Sequence, residues 1–200
     1  MRPNYVGYYL DIGAHHPVFH SNTFLFYLRG WSGIAIEPNP DLCEEFRKIR
    51  PRDKVLNVAV AGQSSVVTYH RFANSFLNSI SPAWGEFRIK GGEQYLGSCE
   101  IHCISPQELL KHVETPIDFM NIDIEGVDAE VLSRWDWSVC KPTVICAEIL
   151  SLEIRDMLET DVAQILLAAG YRPVSRGWQS AIFIADEAIG AYLQKITNAV

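Results

Sequence analysis

Five carboxylates fall at or near the ends of short apolar runs: Asp11 just ahead of Gly13, then Glu37, Asp123 with Glu125, and Glu148. A single carboxylate in such a place is ordinary, because it can cap the helix that follows; Glu125, next to Gly126, and Asp123 both admit that reading. Several carboxylates brought into one cleft repel each other unless protons, a cation or hydrogen-bond donors offset the charge. The pattern therefore predicts a cleft that takes up something positive or supplies donors, with Asp123 and Glu125 as candidates for its chemistry. His15, His16 and His20 crowd the turn after Gly13. Histidine is the natural proton acceptor near neutral pH, which makes His16, expected at the cleft mouth, the candidate general base. A metal held by His15, His16 and Asp123 or Glu148 has no supporting ligand spacing, and none is expected.

The turn Gly13-Ala14-His15-His16-Pro17 carries one glycine. A dinucleotide site asks for G-x-G-x-x-G there, so that backbone can approach a pyrophosphate. Asp11 also sits badly beside a phosphate, since two like charges about 4 Å apart cost roughly 4 kcal/mol at an effective dielectric of about 20. A phosphate-free nucleoside such as S-adenosylmethionine fits better. Glu37 lies 24 residues after Gly13, near the roughly 20-residue spacing at which an acidic side chain takes ribose hydroxyls. Asp11 and the Gly13 turn suit the amino-acid end of that molecule, with a helix N-terminus near Ser21 for its carboxylate. Asn57 and Ala59 are placed to flank the adenine.

The elements that must position these residues alternate. Strands are expected over Tyr8–Ile12, Gly33–Glu37, Lys54–Val58, Ser65–His70, Glu100–Ile104, Ile117–Ile124, Thr143–Ile149, Tyr171–Ser175 and Ser180–Ala185. Helices follow Ser21-Asn22-Thr23, Pro40-Asp41, Ser105-Pro106, Gly126 and Thr160, where cap residues or a first-turn proline start them. Alternation of this kind predicts an α/β fold, a mostly parallel sheet with helices on both faces, in which the two closely spaced last strands bring in one antiparallel member. Residues 72–98 fit no regular element, and a long excursion in a compact domain is often functional. Its Trp84, Phe87 and Tyr95, together with Trp178, are either a satellite core or an acceptor lid.

The 200 residues suffice for one domain, read here as spanning 1–200, and 48% hydrophobic with 20% charged residues is a globular mix. A net charge of −7 without a basic run argues against nucleic acid as a partner. No stretch is long and apolar enough to span a membrane, and the polar start Met1-Arg2-Pro3-Asn4 is no signal peptide. Five cysteines without a CxxC pair read as buried thiols of a reduced, cytoplasmic protein.

Taken together, Tyr9-Leu10-Asp11-Ile12-Gly13-Ala14-His15-His16-Pro17, Ser21-Asn22-Thr23, Gly30-Trp31-Ser32-Gly33, Glu37-Pro38-Asn39-Pro40, Asn57-Val58-Ala59-Val60 and Asp118-Phe119-Met120-Asn121-Ile122-Asp123-Ile124-Glu125-Gly126 resemble, in order, the motifs of FkbM-type S-adenosylmethionine-dependent methyltransferases. The resemblance runs from about Tyr8 to Glu148 and departs from the family's commonest residues at His15, Pro17 and Asn121. It implies a Rossmann-like class I methyltransferase with a seven-stranded sheet, and O-methylation of a hydroxyl on a sugar, polysaccharide or secondary metabolite. It adds Ala14, His15, Asn22, Thr23, Pro38 and Asp123 to the cofactor contacts. With strand one so close to the chain start, three expectations stand: the chain is a fragment lacking an N-terminal cofactor lid, a second copy in a homodimer covers the site, or the excursion does. Two other functions are carried forward: a module that binds the cofactor without turnover, and a nicotinamide-dependent oxidoreductase.

Overall fold

The computed structural model describes residues 5–151 and 153–190; the polar start Met1-Arg2-Pro3-Asn4 lies outside them. In chain order the elements are β1 (Tyr8–Ile12), α1 (Phe24–Leu28), β2 (Ser32–Ile36), α2 (Pro40–Ile49), β3 (Lys54–Leu56), β4 (Ala59–Val60) and β5 (Ser65–Phe72). A 3-10 turn (Ser75–Leu77), α3 (Pro82–Lys90), β6 (Tyr95–Ile104), α4 (Pro106–Leu110), β7 (Phe119–Ile122) and α5 (Asp128–Ser133) follow. β8 (Val144–Glu148), α6 (Ile154–Glu159), α7 (Asp161–Ala168), β9 (Tyr171–Arg176) and β10 (Ser180–Ala185) come next. None of the helices described is long and apolar enough to cross a membrane.

The main sheet has seven strands in the order β3-β2-β1-β7-β8-β10-β9. Pairs from β3 to β8 are parallel, and β10 is antiparallel to both of its neighbours. The chain leaves β1 towards one edge and later returns to β7 at its other side, so the strand order reverses between β1 and β7. In open parallel sheets the crevice at the carboxyl ends of such a pair is where ligands bind.

Alternation along the strands decides what reaches that crevice. Leu10 and Ile12 of β1 join Met120 and Ile122 of β7 in a core that also takes Leu109, Val131 and Leu166 from α4, α5 and α7. Tyr9 and Phe119 face the other way, onto Tyr27 and Trp31. Asp11 and Asn121, two residues beyond Tyr9 and Phe119 and in register with each other, therefore emerge side by side on the α1–α2 face.

The excursion differs from its sequence reading. Residues 72–98 carry a 3-10 turn, helix α3 and the first half of β6. Ser81 caps α3 by accepting from the Trp84 amide, with Pro82 in the first turn, which is the start signal read correctly at Ser105-Pro106. Its residues lack an apolar stripe because aromatic and charged side chains surround it, so periodicity alone is silent there. The expected strand Lys54–Val58 divides: β3 ends at Leu56, and Ala59–Val60 begin a second sheet of order β4-β6-β5. At Ser21-Asn22-Thr23 a helix does start, but Thr23 makes no side-chain cap bond; its hydroxyl is used elsewhere.

Candidate active site

A cleft opens at the carboxyl ends of β1, β2 and β7 and is walled on its far side by β4, β5 and the 3-10 turn. Asp11, Gly13, Ala14, His15, Asn22, Glu37, Pro38, Ala59, Asp123 and Glu125 all line it, so most of the sequence candidates meet in one place.

Asp11 is 1% exposed and both its oxygens are engaged: Thr23 Oγ1 donates to Oδ2 at 2.5 Å, and Asn121 Nδ2 donates to Oδ1 at 2.9 Å. Asn22 Nδ2 in turn donates to Asn121 Oδ1 at 2.9 Å, which carries the chain of bonds to the cleft wall. Burial pushes the Asp11 carboxyl above the usual range, while its two donors and the Arg50 charge pull it back. Gly13 follows at φ +80°, and a Cβ there would lie 1.8 Å from the Asp123 carbonyl oxygen. The ends of β1 and β7 thus approach so closely that only glycine fits. The turn's amides are spent internally: Gly13 and Ala14 N–H donate to Ile36 O, and His15 N–H donates to Glu37 Oε2 at 2.9 Å.

Glu37, 4% exposed, stands one residue beyond β2. Its Oε1 accepts from Asn39 N–H at 2.7 Å as well, leaving each oxygen one acceptor site. Burial raises its pKa to about 7 against these two donors. Opposite, the His15 ring stacks on Phe76 at 3.9 Å between centroids and its Nε2 lies 2.8 Å from Ser75 Oγ. Burial, then His16 and His20, lower His15 to about 4, so the ring is neutral at physiological pH. Val58, Ala59 and Val60 give this end of the cleft an apolar side.

The second half of the site is acidic. One oxygen each from Asp123 and Glu125, which line the cleft, and from Glu148, which lies just outside its lining, is within 4.8 Å of the others. Burial and mutual repulsion raise all three above the usual carboxylate range, Glu125 to about 7. Asp123 and Glu148 lie close enough that each charge pushes the other's carboxyl upward. Arg88 of α3 is the cation nearby, 3.9 Å from Glu125, and Ser79 Oγ donates to the Glu125 carbonyl at 2.7 Å. The excursion is thereby tied to the end of β7.

Three candidates lie elsewhere than expected. His16 does not line the cleft: its Nδ1 accepts from the Val18 and Phe19 amides and its Nε2 faces Glu45 of α2 at 3.2 Å. The positive φ of His15 (48°) turns the chain between the two histidines. Thr23 is fully buried behind Asp11. Asn57 sits below the wall, donating to the carbonyls of Glu37 and Pro38, so it holds the β2 turn and leaves the cleft to Ala59. Trp84, Phe87 and Tyr95 are not cleft walls either: Trp84 and Phe87 stack 5.6 Å apart and Tyr95 packs on Phe72. The excursion instead contributes Ser75, Phe76, Asn78 and Ser79. Trp178, 85% exposed, belongs to no core.

A family model described as the methyltransferase FkbM domain matches residues 11–173. No curated protein matches the sequence. Among solved structures, methyltransferase FkbM from Methylobacillus flagellatus is similar with a TM-score of 0.56 at 15% identity, covering 90% of this chain and 43% of that one. This chain therefore spans less than half the length of that relative. The Methanococcus jannaschii fibrillarin pre-rRNA processing protein is similar at 13% identity and TM-score 0.48, over 90% of this chain and 67% of that one. An O-methyltransferase from Bacillus cereus, solved in complex with SAH, is similar at 12% identity and TM-score 0.44, over 88% and 72%. The first likeness, with the strand order above, gives the Rossmann-like fold of class I methyltransferases.

Proposed function

The chain belongs to the FkbM methyltransferase family, and on that premise we propose that it binds S-adenosylmethionine in this cleft and methylates a hydroxyl group of a sugar, polysaccharide or secondary metabolite. One observation carries the reading. The turn after β1 spends the N–H groups of Gly13, Ala14 and His15 on protein oxygens, while the buried Glu37 keeps free acceptor sites facing the cleft. A pyrophosphate would find a carboxylate and no free donors in those amides; a ribose diol finds the acceptors it needs. The same pairing disfavours the nicotinamide reading.

In this proposal Glu37 takes the ribose hydroxyls, Ala59 with Val58 and Val60 flanks the base, and Asn22 with the Asp11–Asn121 pair fixes the floor. When bound, the cofactor would supply an electrophilic methyl group on a sulfonium, its S–CH3 bond breaking to leave the neutral thioether S-adenosylhomocysteine. Forming the new O–CH3 bond releases the hydroxyl proton, and a carboxylate of the Asp123–Glu125–Glu148 group accepts it. Buried groups held near neutral pKa are suited to that step. His16, turned towards α2, has no part in it. In this proposal the chain is one methyltransferase domain, working in the cytoplasm with no nucleic-acid partner.

Calorimetry with S-adenosylmethionine, S-adenosylhomocysteine and NADH tests the binding half, with Glu37→Ala as control. Both sulfur nucleosides are expected to bind, Glu37→Ala to abolish it, and NADH to give no heat. Tight NADH binding, or an unaffected Glu37→Ala, overturns the assignment. Transfer of labelled methyl to a panel of glycans and hydroxylated metabolites tests the second half; binding with no transfer to any of them points to an inactive module.

A further inference from the structure

Arg50 is fully buried at the C-terminal end of α2 and lines no part of the cleft. A guanidinium out of water is costly unless its charge and its donors are matched. Asp53 lies 3.7 Å away, but its oxygens are taken by the Tyr9 hydroxyl and the Gly33 amide. The fork of Arg50 is aimed elsewhere. Nε donates to Pro17 O at 2.6 Å, Nη2 to Ser21 Oγ at 2.6 Å, and Nη1 to Thr23 Oγ1 at 2.8 Å. Phe24 and Phe46 pack around it, with ring centroids 5.2 and 4.9 Å from Cζ.

These three oxygens bracket the segment that puts His20, Ser21 and Asn22 on the cleft wall. His20 lies inside the bracket at φ +55°, a left-handed conformation that few non-glycine residues adopt. Thr23 passes the contact on: it accepts from Arg50 and donates to Asp11 Oδ2, whose other oxygen is held by Asn121, itself bonded to Asn22. The circuit leaves the wall at Ser21 and returns to it at Asn22. We propose that Arg50 is the positioning residue of the cofactor site, setting the His20–Asn22 wall directly and the Asp11 carboxylate through Thr23. This rests on the methyltransferase reading for what the wall binds, but not for whether Arg50 orders it.

The test uses Arg50→Lys, Thr23→Val and Thr23→Ser, with hydrogen exchange of the ligand-free protein and calorimetry with S-adenosylhomocysteine. Lysine keeps a charge but cannot reach three oxygens at once; valine keeps the shape of Thr23 and breaks the relay. Arg50→Lys and Thr23→Val should each speed exchange at residues 15–23 at least tenfold, leave β7 and β8 protected, and weaken binding at least tenfold. Thr23→Ser, which keeps the hydroxyl, should restore both to within twofold of the parent. The proposal is overturned if Thr23→Val leaves exchange at 15–23 unchanged, if Thr23→Ser is as impaired as Thr23→Val, or if exchange rises across the whole sheet, which marks a merely structural role. Should Arg50→Lys fail to fold, the threonine pair decides alone. Should the parent bind no S-adenosylhomocysteine, the methyltransferase reading fails while the exchange result still judges Arg50.

Discussion

Glu37→Gln separates a binding carboxylate from a structural one. In the free protein the Glu37 oxygens accept the His15 and Asn39 amides, and burial raises the pKa from 4.5 to about 7. Glutamine keeps the size, removes the charge, and must point its amide nitrogen at one of those N–H donors. Losing hydrogen bonds made by a charged acceptor costs about 1.5–3 kcal/mol, which is about 10- to 150-fold in affinity for a ribose diol. The pH dependence is sharper. If the ribose is held by the ionised form, the parent should bind S-adenosylhomocysteine about tenfold more weakly at pH 6 than at pH 8, following the ionised fraction of a group near 7. Glu37→Gln should lose this part of the dependence, so the ratio between the two proteins isolates Glu37 from the other carboxylates titrating nearby.

The same pKa makes a stability claim of opposite sense. A carboxyl whose folded pKa lies above its unfolded one contributes stability at acid pH, lost as pH rises from about 4.5 through about 7, by at most about 3 kcal/mol for this group. Ligand-free Glu37→Gln should therefore lose less stability than the parent over that interval in denaturant titrations. If Glu37→Gln binds like the parent at pH 8, and the parent's affinity is flat from pH 6 to 8, the ribose assignment is wrong.

Three further outcomes follow from the geometry. Gly13→Ala places a Cβ 1.8 Å from the Asp123 carbonyl at φ +80° and should cost about 2 kcal/mol or more in urea unfolding; a change under about 0.5 kcal/mol would mean that β1 and β7 can part there. Glu148→Gln removes a charge that deprotonation sets beside Asp123 and Glu125, so its melting temperature should exceed the parent's at pH 9 and match it at pH 5, while methyl transfer drops at least tenfold. His16→Ala should bind S-adenosylhomocysteine within twofold of the parent, because the ring faces Glu45; a large loss would return His16 to the site.

The strand ends were readable because β1, β2, β7 and β8 are apolar on both faces, and a continuous apolar run stops visibly at a carboxylate. That was enough to bring Asp11, Glu37 and Asp123 into one crevice. The second sheet was only half readable: β6 spans Tyr95–Ile104 but is largely exposed, so only Glu100–Ile104 stood out. α6 was hidden because Thr160 gave a strong start signal for α7 immediately after it. The wrong placement of His16 has a backbone cause: nothing in a His-His pair announces that the first adopts a positive φ. Arg50 was equally silent, since a basic residue ending a helix reads as a solvated charge next to the helix dipole, and only its neighbours reveal that it is buried.

The two halves of the cleft neutralise their carboxylates by different means, and this bears on what enters between them. Asp11 and Glu37 are met by donors fixed in the protein, whereas Asp123, Glu125 and Glu148 have chiefly each other and one arginine 3.9 Å from Glu125. Donors partly offset burial in the first group, whereas repulsion adds to burial in the second and favours bound protons. On the proposed reading, a sulfonium arriving beside the second group favours its ionised form, so S-adenosylmethionine should expel protons near pH 7 that S-adenosylhomocysteine, which has no sulfonium charge, leaves in place. Binding heats measured in buffers of different ionisation enthalpy report that difference directly. Equal proton release by the two ligands would place the sulfonium away from the acidic cluster, and the cluster would then lose its claim to accept the proton from the hydroxyl.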